Sequence, residues 1–252
     1  MRQPEQAVIR IRQLTISWAG RLAVRDLSLD VPATGVTVLL GPPGAGKSTI
    51  LWAINGLLED EAGAAARGEV WVRDRRVLPA GGPAASYRHL APIVMEEPYL
   101  FPGTVLRNLS LAPSLRRQPR PLQLAAMRRA LEDAGLAELW PGGLSRRVEH
   151  LSPAQAYQLA LARALAGDPH VLLVDEPAAT LGPHAGLAVE AVLRRIAAGR
   201  PVVVATQLPE RAARLGDTVA VLLDGELVES GPVADILLNP SDPRTERLLH
   251  QG

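Results

Sequence analysis

The chain has 252 residues, of which 47% are hydrophobic and 21% charged, a composition typical of a globular protein that excludes a disordered or low-complexity chain. With 27 basic and 26 acidic residues, it has no overall attraction to nucleic acid. Cysteine is absent, which excludes disulfides, thiolate metal sites and cysteine catalysis. The longest apolar runs are far too short to cross a bilayer.

Short Val, Leu and Ile runs alternate with longer helical patterns along the chain. This alternation is typical of an α/β fold with a mainly parallel sheet. The pair Asp224-Gly225 predicts a tight hairpin between the last two strands. The predicted strands are Val8–Ile11, Val36–Leu40, Glu69–Val72, Ala91–Met95, Val171–Val174, Val202–Ala205, Thr218–Leu223 and Glu226–Glu229.

The predicted helices are Gly46–Leu58, Pro121–Ala134, Pro153–Ala166, Pro183–Ala197 and Pro232–Leu237. Residues 97–163 have helical periodicity, no convincing strand and a Pro/Arg-rich connector, Ser114–Pro121. We therefore predict a single domain, 1–252, with a helical subdomain inserted at about 97–163. Ala62–Arg67 is predicted to be a surface loop, and Asn239–Gly252 a short polar extension.

A complete phosphate-loop pattern, G-x-x-x-x-G-K-[ST], follows the strand Val36–Leu40 and opens a helix. The backbone N–H groups of such a loop form an anion site at a helix N-terminus. Lys47, the only lysine of the chain, is expected to reach the β- and γ-phosphates, and Ser48 to ligate Mg²⁺. The alternative is a simple Gly/Pro turn before a helix. The predicted phosphate-binding residues are Gly41, Pro42, Pro43, Gly44, Ala45, Gly46, Lys47, Ser48 and Thr49.

A second apolar strand ends in two adjacent carboxylates, Asp175 and Glu176. In nucleotide hydrolases with a phosphate loop, the first of such a pair supports Mg²⁺. The second is suited to polarise the attacking water. We predict Asp175 as a metal ligand and Glu176 as a catalytic residue.

The sequence resembles the ATP-binding subunits of ABC transporters over nearly its whole length. Leu151-Ser-Pro-Ala-Gln155 lies where that family has its LSGGQ signature, and Ala162–Leu165 follows as in the family. The signature residues Ser152 and Gln155 are thereby implied to contact the γ-phosphate of a partner subunit. Trp18 lies where the family places an aromatic side chain that stacks on adenine; the alternative is a core residue of the first sheet.

The resemblance implies ATP and Mg²⁺ as cofactors and an antiparallel β portion near the N-terminus. It also implies three kinds of partner: transmembrane permease subunits, a second nucleotide-binding subunit and an extracytoplasmic solute-binding protein. The chain would then be peripheral, at the cytoplasmic face of the cell membrane. The features most similar to the phosphate-import branch are Leu100–Thr104 with Asn108, Glu138–Trp140 and Gly63–Val70.

Several positions depart from the family pattern. Glu96 replaces the Q-loop glutamine, and Gln207 the switch histidine. Pro153 and Ala154 replace both signature glycines, and Gly182 the D-loop aspartate. Pro153 has no N–H to donate. We retain Glu96 as a candidate catalytic residue and metal ligand, and Gln207 as a candidate catalytic residue; Glu96 as a solvated loop carboxylate is the alternative.

The signature region also has a purely structural interpretation. Ser152, Pro153 and Gln155 fit an N-cap, a first helical position and the third position of a capping box. The residues for Mg-ATP within one chain are therefore intact, whereas those that complete the site across a dimer are altered. Two hypotheses follow: a weakly hydrolysing importer subunit, or a hydrolysis-poor regulatory or structural subunit that pairs with a competent ATPase chain. A soluble protein of the same fold without a transport role is a third.

Overall fold

Two β-sheets organise the computed structural model, which describes residues 7–79, 87–112, 115 and 118–250, apart from the side chains of residues 59 and 60. The first sheet is antiparallel, with strand order β2-β1-β4-β5. The second has the order β10-β9-β3-β8-β7-β6 and is parallel except for β10. The strands are β1 Ala7–Trp18, β2 Arg21–Pro32, β3 Val36–Leu40, β4 Ala64–Val72, β5 Arg75–Leu78, β6 Ile93–Val94, β7 Leu172–Asp175, β8 Val202–Thr206, β9 Thr218–Leu223 and β10 Glu226–Pro232.

The second sheet is covered on both faces. Val36, Val38 and Leu40 of β3 pack into one hydrophobic cluster with the helices that follow β6. Leu39 points to the other face and packs with the antiparallel sheet. A strand buried on both sides needs a continuous apolar run, which explains the sequence of β3.

Among the described residues, five helices correspond to predicted ones, with ends that differ by at most three residues, and three further helices were not predicted. They are α1 Lys47–Asn55, α2 Val105–Leu109, α3 Arg120–Asp133, α4 Pro153–Leu165, α5 Pro183–Ala197, α6 Pro209–Leu215, α7 Val233–Leu238 and α8 Pro243–His250. Between β6 and β7 the described residues form helices and turns, with one isolated bridge between Thr104 and Arg147. The α/β fold class with its two kinds of sheet is confirmed; the domain limits 1–252 and 97–163 stay a prediction.

Three predictions of local structure need correction. Ala62–Arg67 is wrong as a loop, because β4 begins at Ala64 and pairs with the end of β1. Asn239–Gly252 is more than a polar extension, because it contains α8; residues 251 and 252 lie outside the described residues. Of the connector Ser114–Pro121, residues 114, 116 and 117 also lie outside them, and its last two residues already belong to α3.

No helix in the described part of the chain combines the length and apolar character needed to span a membrane.

Candidate functional site

The carboxyl ends of three adjacent parallel strands, β3, β7 and β8, meet at one edge of the second sheet. The phosphate loop follows β3, Asp175 is the last residue of β7, and Thr206 is the last residue of β8. In open α/β sheets this edge is where ligands bind. The topology thus brings together the two motifs that lie more than a hundred residues apart in the sequence.

The phosphate loop requires its glycines for steric reasons. A Cβ on Gly41 would collide with the carbonyl oxygen of Leu222. Gly46 has a φ of +93°, and a Cβ there would lie 2.5 Å from the carbonyl oxygen of Ala23. Gly46 is also the N-cap of α1 and provides no capping side chain. The first N–H groups of α1 therefore remain available for an anion, as expected for a phosphate site.

Lys47 is nearly buried, with 7% of its surface exposed. Its Nζ donates to the carbonyl oxygens of Gly41 and Pro42 at 2.8 and 3.0 Å. Burial lowers the pKa of Lys47, while the carboxylates of Glu176 and Asp175 act in the opposite direction. The Nζ lies 3.9 Å from Oε1 of Glu176. The ammonium thus links the loop to both carboxylates of the second motif.

Asp175 and Ser48 form a suitable pair of ligands for Mg²⁺. Burial raises the pKa of Asp175, and a hydrogen bond from Ser48 and the charge of Lys47 oppose that rise. Its Oδ1 is buried without a hydrogen-bond partner among the described residues. These residues contain no cluster of three acidic or histidine side chains for a metal. Mg²⁺ is commonly bound by one or two protein oxygens together with substrate phosphates and water, so the residues present fit it.

Glu176 lies immediately beyond β7 with a φ of +42°, which turns its side chain back toward β8. Its Oε1 accepts from the backbone N–H of Gln207 at 2.8 Å, and its Oε2 accepts from the hydroxyl of Thr206 at 3.0 Å. Burial raises the pKa of Glu176; the hydrogen bond from Thr206 and the charge of Lys47 partly offset it. The structure therefore connects Glu176 with the switch position through the backbone of Gln207, whose side chain is exposed.

Trp18 ends β1 and packs at the edge of the core rather than within it. It is partly buried, and its ring lies edge-on to that of Trp52 on α1, with centroids 5.8 Å apart. Trp52 follows Lys47 on the same helix. Trp18 is thus held beside the helix that the phosphate loop begins, with part of its surface open.

At the signature position, the capping box is confirmed. The Ser152 hydroxyl accepts from the backbone N–H of Gln155 at 3.2 Å, and the Gln155 side chain accepts from the backbone N–H of Ser152 at 3.1 Å. Pro153 occupies the first helical position of α4. Both polar side chains of the altered signature are therefore engaged within their own helix.

Glu96 and Gly182 lie on the surface. Glu96 is exposed just after β6. Burial raises the pKa of Tyr157, and the negative charges of Asp175 and Glu96 add to that rise. Gly182 is the exposed N-cap of α5, and a Cβ added to it would meet nothing within 4 Å. The fold could therefore accommodate the family's aspartate at position 182, and its loss has no packing cause.

One group at the site was not predicted from the sequence. Arg211 on α6 is 6% exposed, and its Nη1 lies 3.4 Å from Oε2 of Glu176. Its Nε donates to Glu190 of α5 at 3.2 Å. The spacing of Arg211 and Arg214 on a short helix gives no sign that one of them is buried. Only the packing of α5 against α6 reveals it.

The known proteins that this chain resembles agree with this geometry. The family model described as ABC transporter matches residues 24–179. The chain belongs to the ABC transporter family. It is 32% identical over 245 residues to the phosphate import ATP-binding protein PstB 3 of Natronomonas pharaonis, covering 97% of this chain and 88% of that protein. It is thus an ATP-binding subunit of an ABC transporter.

Two solved ABC structures have the same fold. The cbiO1 structure from Clostridium perfringens, part of the transporter complex cbiONQ, has a TM-score of 0.81 at 22% identity, over 98% of this chain and 100% of that one. A bacterial Atm1-family ABC exporter with ATP bound has a TM-score of 0.77 at 23% identity. The match covers 98% of this chain but 42% of the exporter chain, which is therefore much longer.

Proposed function

We propose that this ABC subunit binds Mg-ATP at the edge formed by β3, β7 and β8, and that it couples binding and weak hydrolysis to solute import. The observation that supports this most directly is that the buried Lys47 and Asp175 and the partly buried Glu176 lie together beside a complete phosphate loop. Such a site acts mainly by positioning phosphates and stabilising their charge.

Each residue of the group has a separate task. Lys47 exchanges its two carbonyl acceptors for phosphate oxygens, and the N–H groups at the start of α1 bind the same anion. Ser48 and Asp175 are the residues that would hold Mg²⁺, which neutralises phosphate charge when bound. Glu176 orients the attacking water, and the open face of Trp18 accepts adenine.

Hydrolysis is proposed to be weak because two sets of groups that complete the family's site are altered: the signature expected from a second subunit and the switch residue of this chain. Pro153 removes a backbone donor, and Ser152 and Gln155 are engaged in the capping box. Gln207 cannot become charged as a histidine can. Losing one preorganised donor in an active site lowers the rate by about 10²–10³-fold.

The proposed partners are permease subunits in the cell membrane, a second nucleotide-binding subunit and an extracytoplasmic solute-binding protein. The chain would then lie peripherally at the cytoplasmic face. Phosphate is the proposed solute, on the basis of the similarity to the phosphate import protein PstB 3. The solute would be selected by the other chains of the transporter, so the proposal of phosphate depends on this similarity alone.

The second candidate is a hydrolysis-poor subunit that pairs with a competent ATPase chain. The observation that favours it is the combination of an intact Lys47 and Asp175 site with the altered α4 start. In such a pair, the competent chain's signature would complete the Lys47 and Glu176 site of this chain. Turnover of the purified chain alone, compared with turnover after adding a partner chain, separates the two candidates.

The decisive test is Mg-ATP titration calorimetry with the wild type and Lys47→Ala. The substitution removes the ammonium that links the phosphate loop to both carboxylates, so ATP binding should fall sharply. Arg76→Ala is the matched control, because Arg76 is an exposed cation paired with Glu69 on the antiparallel sheet. Equal ATP affinity in the wild type and Lys47→Ala would remove the basis of the proposal.

A further inference from the structure

Arg211 is a second buried cation of the same chain beside Glu176, in addition to Lys47. It has only 6% of its surface exposed. Its Nη1 lies 3.4 Å from both Oε2 of Glu176 and Oγ1 of Thr206, while its Nε donates to Oε1 of Glu190. Arg211 thereby connects α5, through Glu190, to the residue that follows β7.

Four groups surround the two oxygens of Glu176. Oε2 accepts from Thr206 and Arg211, and Oε1 accepts from the backbone of Gln207 and faces the ammonium of Lys47. A carboxylate has about four lone-pair sites in all. Three of these contacts are hydrogen bonds, and the fourth, with Lys47, is an ion pair at 3.9 Å. Turning the carboxylate away from β8, toward a water on the phosphate side, would break part of this set.

If Glu176 moved away, the buried positive charge of Arg211 would lack a full carboxylate partner. Glu190, its other carboxylate, is shared with Arg214, which donates to it twice at 2.6 and 2.9 Å. Breaking a buried ion pair on one side leaves a buried charge that lacks a full partner, which is strongly unfavourable. The charge balance among these four side chains therefore favours the observed position of Glu176.

We propose that Arg211 is a positioning residue that holds the Glu176 carboxylate against the end of β8 and so restrains ATP hydrolysis. This rests on the proposed function of the chain as a Mg-ATP-binding subunit. It adds a restraint inside the chain to the altered residues at the proposed dimer contacts. Arg211 acts through Glu176 and need not touch the nucleotide.

The test compares three variants of the full chain: Arg211→Gln, Glu190→Gln and Arg214→Gln. For each, we would measure the Mg-ATP dissociation constant by calorimetry, the turnover at saturating Mg-ATP by phosphate release, and the thermal unfolding midpoint. Arg211→Gln should raise turnover about tenfold, equivalent to about 1.4 kcal/mol of barrier. Its ATP dissociation constant should stay unchanged, because the nucleotide contacts are untouched.

Of the other two variants, one should change turnover in the opposite direction and one should change it less. Glu190→Gln removes the second carboxylate of Arg211, tightens its pairing with Glu176 and should lower turnover. Arg214→Gln is the matched control, since Arg214 donates to the same Glu190 but has no contact with Glu176 among the described residues. It should lose stability to a similar extent and raise turnover less than Arg211→Gln does, because the freed Glu190 compensates part of the charge of Arg211 while Arg211 itself stays beside Glu176.

Unchanged or lower turnover in Arg211→Gln with intact ATP binding would overturn the inference, as would an equal rise in Arg214→Gln. If Arg211→Gln does not fold, Glu190→Gln decides: lower turnover supports the restraint, and equal or higher turnover overturns it. A wild-type chain that binds no Mg-ATP would refute the proposed function itself, and the calorimetry shows this separately.

Discussion

The role of Trp18 depends on how much of its ring is covered. The ring meets that of Trp52 on α1 at a steep angle, and the residue as a whole remains only partly buried. A side chain that served only the core would be covered on both sides, as Ile16 two residues earlier is. This difference favours adenine stacking over the core alternative.

We expect Trp18→Ala to weaken Mg-ATP binding by about 0.5–1.5 kcal/mol, the scale of an aromatic pair beyond its buried area. Calorimetry measures this directly, and a thermal melt run alongside reports the lost contact with Trp52. Trp71→Ala is the control, because Trp71 lies on the antiparallel sheet beneath Arg10 and Arg76. If Trp18→Ala lowered only the melting temperature, Trp18 would be a core residue.

At the level of single residues, some of the site could be predicted and some could not. Lys47, Ser48 and Asp175 could be predicted from local patterns, because the phosphate loop and the strand ending in carboxylates are each formed by a continuous stretch of sequence. Their actual proximity required the sheet order. Arg211 and Glu190 belong to no motif, and their pairing arises only where α5 and α6 pack.

Among the elements, α4 is where stability and the expected ATP contacts conflict. The capping box and Pro153 give the helix a firm start, and each of these features differs from a glycine-rich signature. Restoring glycine would return a backbone donor at position 153 and weaken the first turn.

The triple variant Pro153→Gly, Ala154→Gly and Gln207→His should raise turnover by more than tenfold, about 1.4 kcal/mol in the barrier. It should also melt earlier, since glycine costs a helix about 1 kcal/mol relative to alanine. Phosphate release and a thermal melt measure the two effects. Ala125→Gly, on the exposed side of α3, is the control for helix weakening alone.

Fast turnover would instead support a subunit that hydrolyses ATP at an ordinary rate. The altered-site hypothesis requires slow turnover in the wild-type chain on its own. A purified chain that turned over at about 1–10 s⁻¹, within the usual range of enzymes, would contradict it.

In the antiparallel sheet, β2 and β5 were not predicted, and only parts of β1 and β4 were, Val8–Ile11 and Glu69–Val72. In β2 the buried positions Leu27, Leu29 and Val31 alternate with exposed charged or polar residues, a half-buried pattern without a continuous apolar run. In β4 the stretch Ala64–Arg67 has no large apolar residue and becomes a strand because β1 pairs with it. The central strands were predictable because both of their faces are covered.

For the whole molecule, we propose that the permease subunits contact the start of the region between β6 and β7, at the three apolar residues Tyr99, Leu100 and Phe101. Tyr99 and Phe101 are 64% and 41% exposed and lie edge to face, whereas Leu100 packs against the core. Phe101 and Arg163 also line a groove of about 450 Å³. Two of the three apolar residues thus remain open to a partner, and one serves the core.

Photo-crosslinking tests this contact in membranes from the native cell. A crosslinking side chain at position 99 or 101 should form a product with a multi-span membrane protein, because Phe101 lines the groove and Tyr99 lies exposed against Phe101. The control position is 238, where Leu238 is 76% exposed on α7, outside that region. Products from 99 and 101 that contained only soluble proteins would count against the docking.

The buried ammonium at the phosphate loop has one more practical consequence. Because Lys47 is the only lysine in the chain, lysine labelled with ¹⁵N at its side chain would give a single amine resonance in an NMR spectrum. That signal needs no assignment, and it comes from the group that donates to Gly41 and Pro42. The chain therefore contains its own reporter for testing whether a nucleotide reaches the phosphate loop, without any engineered label.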